Sequence, residues 1–231
     1  MLDIENRPLL KNAPFWSWND KMTKEECKRQ IEEMHKAGWG SFFMHARVGL
    51  ITPYLSDEWM ELCRFCAEEA EKLGMKAWLY DEDKWPSGYA GGIVSQKEEN
   101  RQRELVLIKK EEIGDNDTVL MEFAYRGNTH YICRRVTKFT NGGWFNGYAY
   151  VDLMNPDTVK DFLECTHEKY KEAMGDLFGK SIPGIFTDEP NNLFYVDGVT
   201  KVQWTDRLPE LFKEKYGYDI LENLHKLFFD I

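Results

Sequence analysis

The sequence predicts an α/β fold, a partial (β/α)8 barrel of about four strand–helix units, on three observations. Short apolar runs alternate with amphipathic helical stretches along most of the 231 residues, the pattern of a parallel sheet covered by helices. Two of those runs end in clustered carboxylates, Tyr80-Asp81-Glu82-Asp83 and Phe186-Thr187-Asp188-Glu189-Pro190. Acids at the C-terminal ends of parallel strands are where barrel enzymes keep their chemistry. A complete barrel needs eight strands in roughly 250 residues, so the chain reads as the first half of one, a single partial catalytic domain over 1–231 with a β-rich insertion at about 104–146.

The elements follow in order. Pro14 to Trp18 is a short aromatic strand that Asn19 closes. Thr23 and Glu26 form a capping box for a helix whose stripe is Cys27, Ile31 and Met34 and which Gly38 ends. Trp39 to Met44 is the second strand, closing on His45-Ala46-Arg47. The helix from Ser56-Asp57 places Trp59, Leu62, Cys63, Cys66, Ala67, Ala70 and Leu73 at 3-4 spacing. Gly74 ends it, and the third strand runs from Met75 to Tyr80. The segments at 105–108, 118–125 and 129–137 alternate as a β-hairpin insertion does. The parallel rhythm resumes after Tyr148 to Leu153: Asn155 caps a helix with Pro156 at its first position, reaching Gly179. The strand Ile182 to Phe186 follows, and Leu208 to Leu227 is helical with a break at Gly217.

Composition narrows the partners. Thirty basic against forty acidic residues leave a net charge of −10, which argues against nucleic acid or an anionic membrane as partner. No apolar stretch approaches the roughly 20 residues of a membrane span, and the first residues lack the order of a signal peptide, so a cytoplasmic location is expected. Five cysteines in no framework spacing fit reduced thiols; Cys63 and Cys66 fall on a helix stripe and read as small buried hydrophobes. Eight Trp, eleven Tyr and fourteen Phe supply flat apolar faces of the kind a carbohydrate site stacks on sugar rings.

Cleaving a glycosidic bond takes two carboxyl groups, one a protonated acid and the other a base or nucleophile. Glu189, beside Pro190 and crowded by Asp188, is the candidate acid, since a neighbouring carboxylate raises a carboxyl pKa. Glu82 is the candidate base or nucleophile, with Asp83 close behind. Trp85 in Trp85-Pro86-Ser87-Gly88 sets an indole beside the acids, and Trp16 and Trp18 share one strand face where a sugar could stack; core packing explains that pair as well. Asn19, His45, Arg47, Asp81 and Asp188 complete the candidate substrate contacts, with His45 and Arg47 placed to hold a hydroxyl or a carboxylate. Helix caps and ion pairs to Lys84 and Arg47 are the plain alternative for the acids. His35, His130, His167 and His225 read as surface or packing residues. Clustered Asp and Glu with few His favour a hard ion such as Ca2+ over zinc, with Asp81, Asp83 and Asp188 as part of a shell; Asp-x-Asp spacing alone assigns no metal ligand.

Phe15-Trp16-Ser17-Trp18-Asn19, His45-Ala46-Arg47-Val48-Gly49-Leu50, Tyr80-Asp81-Glu82 with Trp85-Pro86-Ser87-Gly88, Ala90-Gly91-Gly92 and Phe186-Thr187-Asp188-Glu189-Pro190 occur in that order. Together they resemble glycoside hydrolase family 106, the α-L-rhamnosidases, over roughly residues 12–230. The resemblance implies an inverting hydrolase of terminal α-L-rhamnose in plant-type polysaccharides or glycosides, with room for calcium in the site. It puts the acid on Glu189 and the base on one of Asp81, Glu82 and Asp83. Members of that family are several times longer, with β-domains after the barrel. Two other readings stay open: a retaining barrel glycosidase whose nucleophile lies on a later strand, and a non-catalytic carbohydrate-binding fragment.

Overall fold

The computed structural model describes residues 7–140, 143–192 and 200–229. In chain order the elements are β1 (Phe15–Trp18), α1 (Lys24–Lys36), β2 (Ser41–Ala46), α2 (Asp57–Lys72), β3 (Lys76–Tyr80), β4 (Arg103–Ile108), β5 (Asp117–Tyr125), β6 (Asn128–Val136), α3 (Pro156–Cys165), α4 (His167–Met174), β7 (Ile185–Phe186), β8 (Lys201–Trp204) and α5 (Leu208–Tyr216), with short 3-10 turns between them. They form a mixed α/β structure of two compact units, one of Met1–Gly91 with Phe162–Pro190, the other of Gly92–Asp161 with Asn191–Ile231.

The first unit is built on a parallel sheet whose strand order, β1-β2-β3-β7, is the order of the chain. Phe15 pairs with Phe43, Phe43 with Trp78, and Tyr80 with Phe186. Among the described residues the strands do not close into a barrel. The helices start where local chemistry sets them: the Thr23 hydroxyl accepts from the Glu26 N–H at 3.2 Å and the Ser56 hydroxyl from the Trp59 N–H at 3.2 Å, each satisfying a donor the first turn leaves over. α2 buries Trp59, Leu62, Cys63, Cys66, Ala67 and Ala70.

Strand alternation separates two faces of this sheet. Trp16, Trp18, Phe42, Met44, Ala46, Ala77 and Leu79 are buried on one of them, where the Trp18 ring meets Trp59 of α2 at 4.9 Å. Phe15, Phe43, Trp78, Tyr80 and Phe186 line the other, with ring centroids 5.0 Å apart for Phe15–Phe43, 5.0 Å for Phe15–Phe186 and 5.4 Å for Phe43–Trp78. Gly184 is what lets β7 approach Trp78: a Cβ there would stand 2.9 Å from the indole.

Several boundaries differ from expectation. β2 runs on through His45 and Ala46, because both continue the pairing to Ser17 and Trp18. The fourth parallel strand shrinks to Ile185–Phe186, since Pro183 brings no N–H to a ladder. The run Tyr148 to Leu153 contributes one isolated antiparallel bridge, Val151 to Arg101, and no parallel strand. The helix expected from Pro156 to Gly179 breaks at Thr166, whose hydroxyl donates to the Phe162 carbonyl at 2.6 Å, a bond that competes with the helical ladder.

The second unit holds an antiparallel sheet, β5-β6-β4-β8. The β5–β6 hairpin turns on Arg126 (φ 48°) and Gly127 (φ 77°), the two-residue turn whose twist suits a hairpin. Leu105, Ile132, Trp204, Ile220 and Leu224 form its core. Among the described residues no helix is long and apolar enough to cross a membrane.

Candidate active site

The chain leaves β3 into a loop that folds around one carboxylate. Glu82 is fully buried. Its Oε1 accepts from the N–H groups of Asp83 (2.8 Å) and Gly91 (2.5 Å), and its Oε2 from those of Gly88 (3.0 Å), Tyr89 (3.0 Å) and Ala90 (2.8 Å). Burial raises its pKa, and the N–H groups of Gly91, Asp83 and Ala90, which favour the ionised form, oppose that rise. With both oxygens engaged and no solvent access, Glu82 is an internal pin for residues 83–91. The expected role of base does not fit that position, because no water can reach an oxygen that has a free lone pair.

Asp81, also fully buried, ties this loop to the end of β7. Its Oδ1 accepts from the Ser87 hydroxyl at 2.5 Å and its Oδ2 from the Thr187 hydroxyl at 2.6 Å. Ser87 and Asp188 then bond reciprocally: the Ser87 N–H donates to the Asp188 carbonyl, and the Asp188 N–H to the Ser87 hydroxyl, both at 2.8 Å. His167 of α4 lies 3.6 Å from Asp81 Oδ2. Burial raises the Asp81 pKa and lowers that of His167. Asp81 is thus a structural link that no sugar can touch, and His167 is more than the packing residue its sequence context suggests.

The groups that can meet a ligand lie just beyond. The Tyr80 hydroxyl sits 2.7 Å from Asp188 Oδ2 and 2.8 Å from the Lys84 carbonyl; burial and Asp188 raise its pKa. His45 Nε2 is 3.2 Å from the same Lys84 carbonyl. A carbonyl only accepts, so the Nε2 carries the proton and the buried Nδ1 is the bare acceptor, with no hydrogen-bond partner among the described residues. His45 is 5% exposed, its ring centroid 3.9 Å from that of Tyr80 and tilted 44° to it. Asp83 is partly buried, its carboxylate 3.7 Å from the Lys84 ammonium. Glu189 is exposed and holds φ at 42°, a left-handed conformation that a β-carbon disfavours.

Asp83 and Lys84 also line a 160 Å3 pocket with Arg47, Gly49, Leu50, Thr52, Pro53 and Tyr54. Asn19 is exposed beside it: its carbonyl would stand 2.6 Å from a Cβ on Gly49. Trp85 is partly buried. Trp16 and Trp18 share a face as expected, but it is the helix-covered one, and at 8% and 0% exposure they pack the core and offer no ring to a sugar.

The cation shell of Asp81, Asp83 and Asp188 does not fit a calcium ion. Asp81 spends both oxygens on Ser87 and Thr187 and Asp188 accepts from Tyr80, and among the described residues no three His, Cys, Asp or Glu side chains gather to hold a metal. Sequence reasoning missed Tyr80, Thr187 and His167. Tyr80, as the polar-tipped last residue of an apolar strand, was findable; nothing near His167 in sequence points to Asp81.

No family profile matches this chain, and no curated protein does. Among solved structures, a rhamnosidase from Novosphingobium sp. PP1Y is similar at 21% identity and a TM-score of 0.37, over 61% of this chain. This chain spans 13% of that protein's length.

Proposed function

We propose that the chain is the first part of a glycoside hydrolase's (β/α)8 barrel, acting by acid–base catalysis on a terminal α-L-rhamnosyl or related linkage. Four parallel strands in chain order, with acids beyond the C-terminal ends of β3 and β7, are what such a barrel provides. The observation that carries the reading is the Tyr80–Asp188 hydrogen bond. Together with Ser87, it holds the acidic segments after β3 and β7 in one fixed relation, as a two-carboxylate mechanism requires. The order of motifs shared with the rhamnosidase family supports the sugar.

In this mechanism Glu189, the exposed carboxyl, gives its proton to the glycosidic oxygen as the bond to the anomeric carbon breaks. Asp83 takes a proton from the water that attacks that carbon from the opposite side, which inverts the centre. Asp188, held by Tyr80, sets the position of Glu189. The test is release of 4-nitrophenol from a panel of aryl glycosides that includes the α-L-rhamnoside, with Glu189→Gln and Asp83→Asn as controls. Turnover that each substitution lowers by about 100-fold or more, the scale of a lost acid or base, is the expected result. Turnover unchanged in both variants sinks the assignment, and no turnover of any glycoside sinks the hydrolase.

A further inference from the structure

His167 opens α4, and two hydrogen bonds fix what its ring can do. The Thr166 hydroxyl has one proton, which goes to the Phe162 carbonyl at 2.6 Å. The Thr166 oxygen is therefore an acceptor towards His167 Nδ1, 2.9 Å away, so Nδ1 carries the ring's proton. In the neutral ring Nε2 is then a bare lone pair, 3.6 Å from Asp81 Oδ2, itself an acceptor. That separation is ion-pair contact, wider than the ~2.8 Å of a charge-assisted hydrogen bond, as suits a ring with no proton at Nε2. Neutral His167 has nothing to donate to Asp81. The imidazolium, with a proton on both nitrogens, does.

Asp81 is the carboxylate on which the acidic segments are assembled. It is fully buried and takes the hydroxyl protons of Ser87 and Thr187 at 2.5 and 2.6 Å. The Ser87 hydroxyl in turn accepts from the Asp188 N–H at 2.8 Å. Burial raises the Asp81 pKa, and the two hydroxyls and a charged His167 oppose that rise. Burial lowers the His167 pKa, against the pull of Asp81 and Glu168, so the ring changes charge below the ordinary histidine value near 6.5. Its side chain is 27% exposed and lines a 310 Å3 cavity with Leu79, Phe178 and Ile182, so water can deliver the proton. The other groups around it leave the exchange to Asp81. Glu168 and Lys171 share the cavity from its own helix, and residues 181–186 bring no charge. The Tyr170 phenol is committed to the Tyr80 carbonyl, and Arg64 of α2 to Asp176, Glu68 and the Ala173 carbonyl. Glu82, beside Asp81, is held by the N–H groups of its loop.

We propose that His167 is a proton-operated positioning residue. Protonated, it clasps α4 to Asp81 and steadies the Asp81–Ser87–Asp188 link that places the acid; neutral, it lets go. The site is then best ordered on the acidic side of the His167 titration. This names the regulation of the glycosidase site above and rests on that reading.

The experiment begins with long-range 1H–15N NMR of the histidine rings in the full chain, with His167 assigned through its backbone. At high pH the neutral ring should carry its proton on Nδ1, and Nε2 should gain one as the pH falls. His167→Gln puts an amide N–H near the Nε2 position and donates to Asp81 at every pH, whereas His167→Phe never donates. Aryl glycoside turnover of wild type relative to His167→Gln should rise about tenfold as the pH falls through the titration, the scale of a hydrogen bond to a charged group. His167→Phe should stay about tenfold below His167→Gln throughout. Hydrogen exchange of the Ser87 and Asp188 amides, corrected for its intrinsic pH dependence, should slow over the same range in wild type and show no step in His167→Gln.

A neutral ring protonated on Nε2 overturns the proposal, since it would donate at all pH, and the wild type alone reports this if neither variant folds. Equal behaviour of the two variants overturns it as well, and leaves His167 a packing residue. The two readings fail separately. Exchange that follows His167 in a chain that turns over no glycoside keeps the clasp and sinks hydrolysis. Turnover whose ratio to His167→Gln stays flat across the titration keeps hydrolysis and sinks the clasp.

Discussion

Tyr80, the last residue of β3, and Asp188, two residues past the end of β7, are joined side chain to side chain at 2.7 Å. The same hydroxyl lies against the Lys84 carbonyl, so one buried phenol bridges both acidic segments. Removing it by Tyr80→Phe keeps the ring and its stacking on Phe186 but releases Asp188. A hydrogen bond to a charged group contributes about 1.5–3 kcal/mol. Turnover should fall by roughly 10–100-fold, with a melt lowered by only a few degrees. Unchanged kcat in a folded Tyr80→Phe chain would show that Asp188 has no part in placing the acid.

The Glu82 cage makes a different prediction from a catalytic base. In Glu82→Gln one oxygen becomes an amide NH2 facing backbone N–H groups, leaving buried donors unmatched at about 1–3 kcal/mol each. The variant should lose about 3 kcal/mol or more in urea unfolding, and the 83–91 loop should become a site of proteolytic cleavage. Full stability with abolished turnover would restore Glu82 as the base.

How much of this was legible depends on whether neighbours in sequence decide the matter. The capped helix starts at Thr23 and Ser56 and the apolar strands before Asp81 and Thr187 follow from local chemistry, and they were readable. Alternation likewise put Trp16 and Trp18 on one face, but it carries no information on which face the helices cover. That depends on where α2 places Trp59, a contact more than forty residues away. Glu82 and Asp83 differ by which one the loop wraps, set by the backbone of Gly88 to Gly91 closing on it. The Asp81–His167 proximity and the β4–β8 pairing span still longer separations, beyond any sequence pattern.

His45 links stability to pH in a direction that can be worked out. Burial lowers its pKa, and Arg47 pushes the same way, while the Lys84 carbonyl, Asp188 and Asp83 act oppositely. With a folded-state pKa below the unfolded value near 6.5, the unfolded chain binds more protons around pH 6, so His45 favours folding less as pH falls through that value. His45→Asn removes the titrating group. The stability advantage of wild type over His45→Asn, measured by urea unfolding, should shrink from pH 7.5 to pH 5.5. An advantage that grows on acidification would mean that His45 is charged in the folded chain.

The two core tryptophans separate packing from sugar recognition. Trp18 is fully buried, in edge-to-face contact with Trp16 at 5.3 Å and Trp59 at 4.9 Å, and its Nε1 has no partner among the described residues. Trp18→Phe therefore removes buried ring area without breaking a hydrogen bond, and cavity formation in such a core costs about 2–4 kcal/mol. Turnover of the aryl glycoside should stay within twofold of wild type below the melting range, because the face on which Trp18 lies is covered by α2. A selective loss of turnover in a chain whose melt is unchanged would put Trp18 in the binding site and reverse the assignment of the two sheet faces.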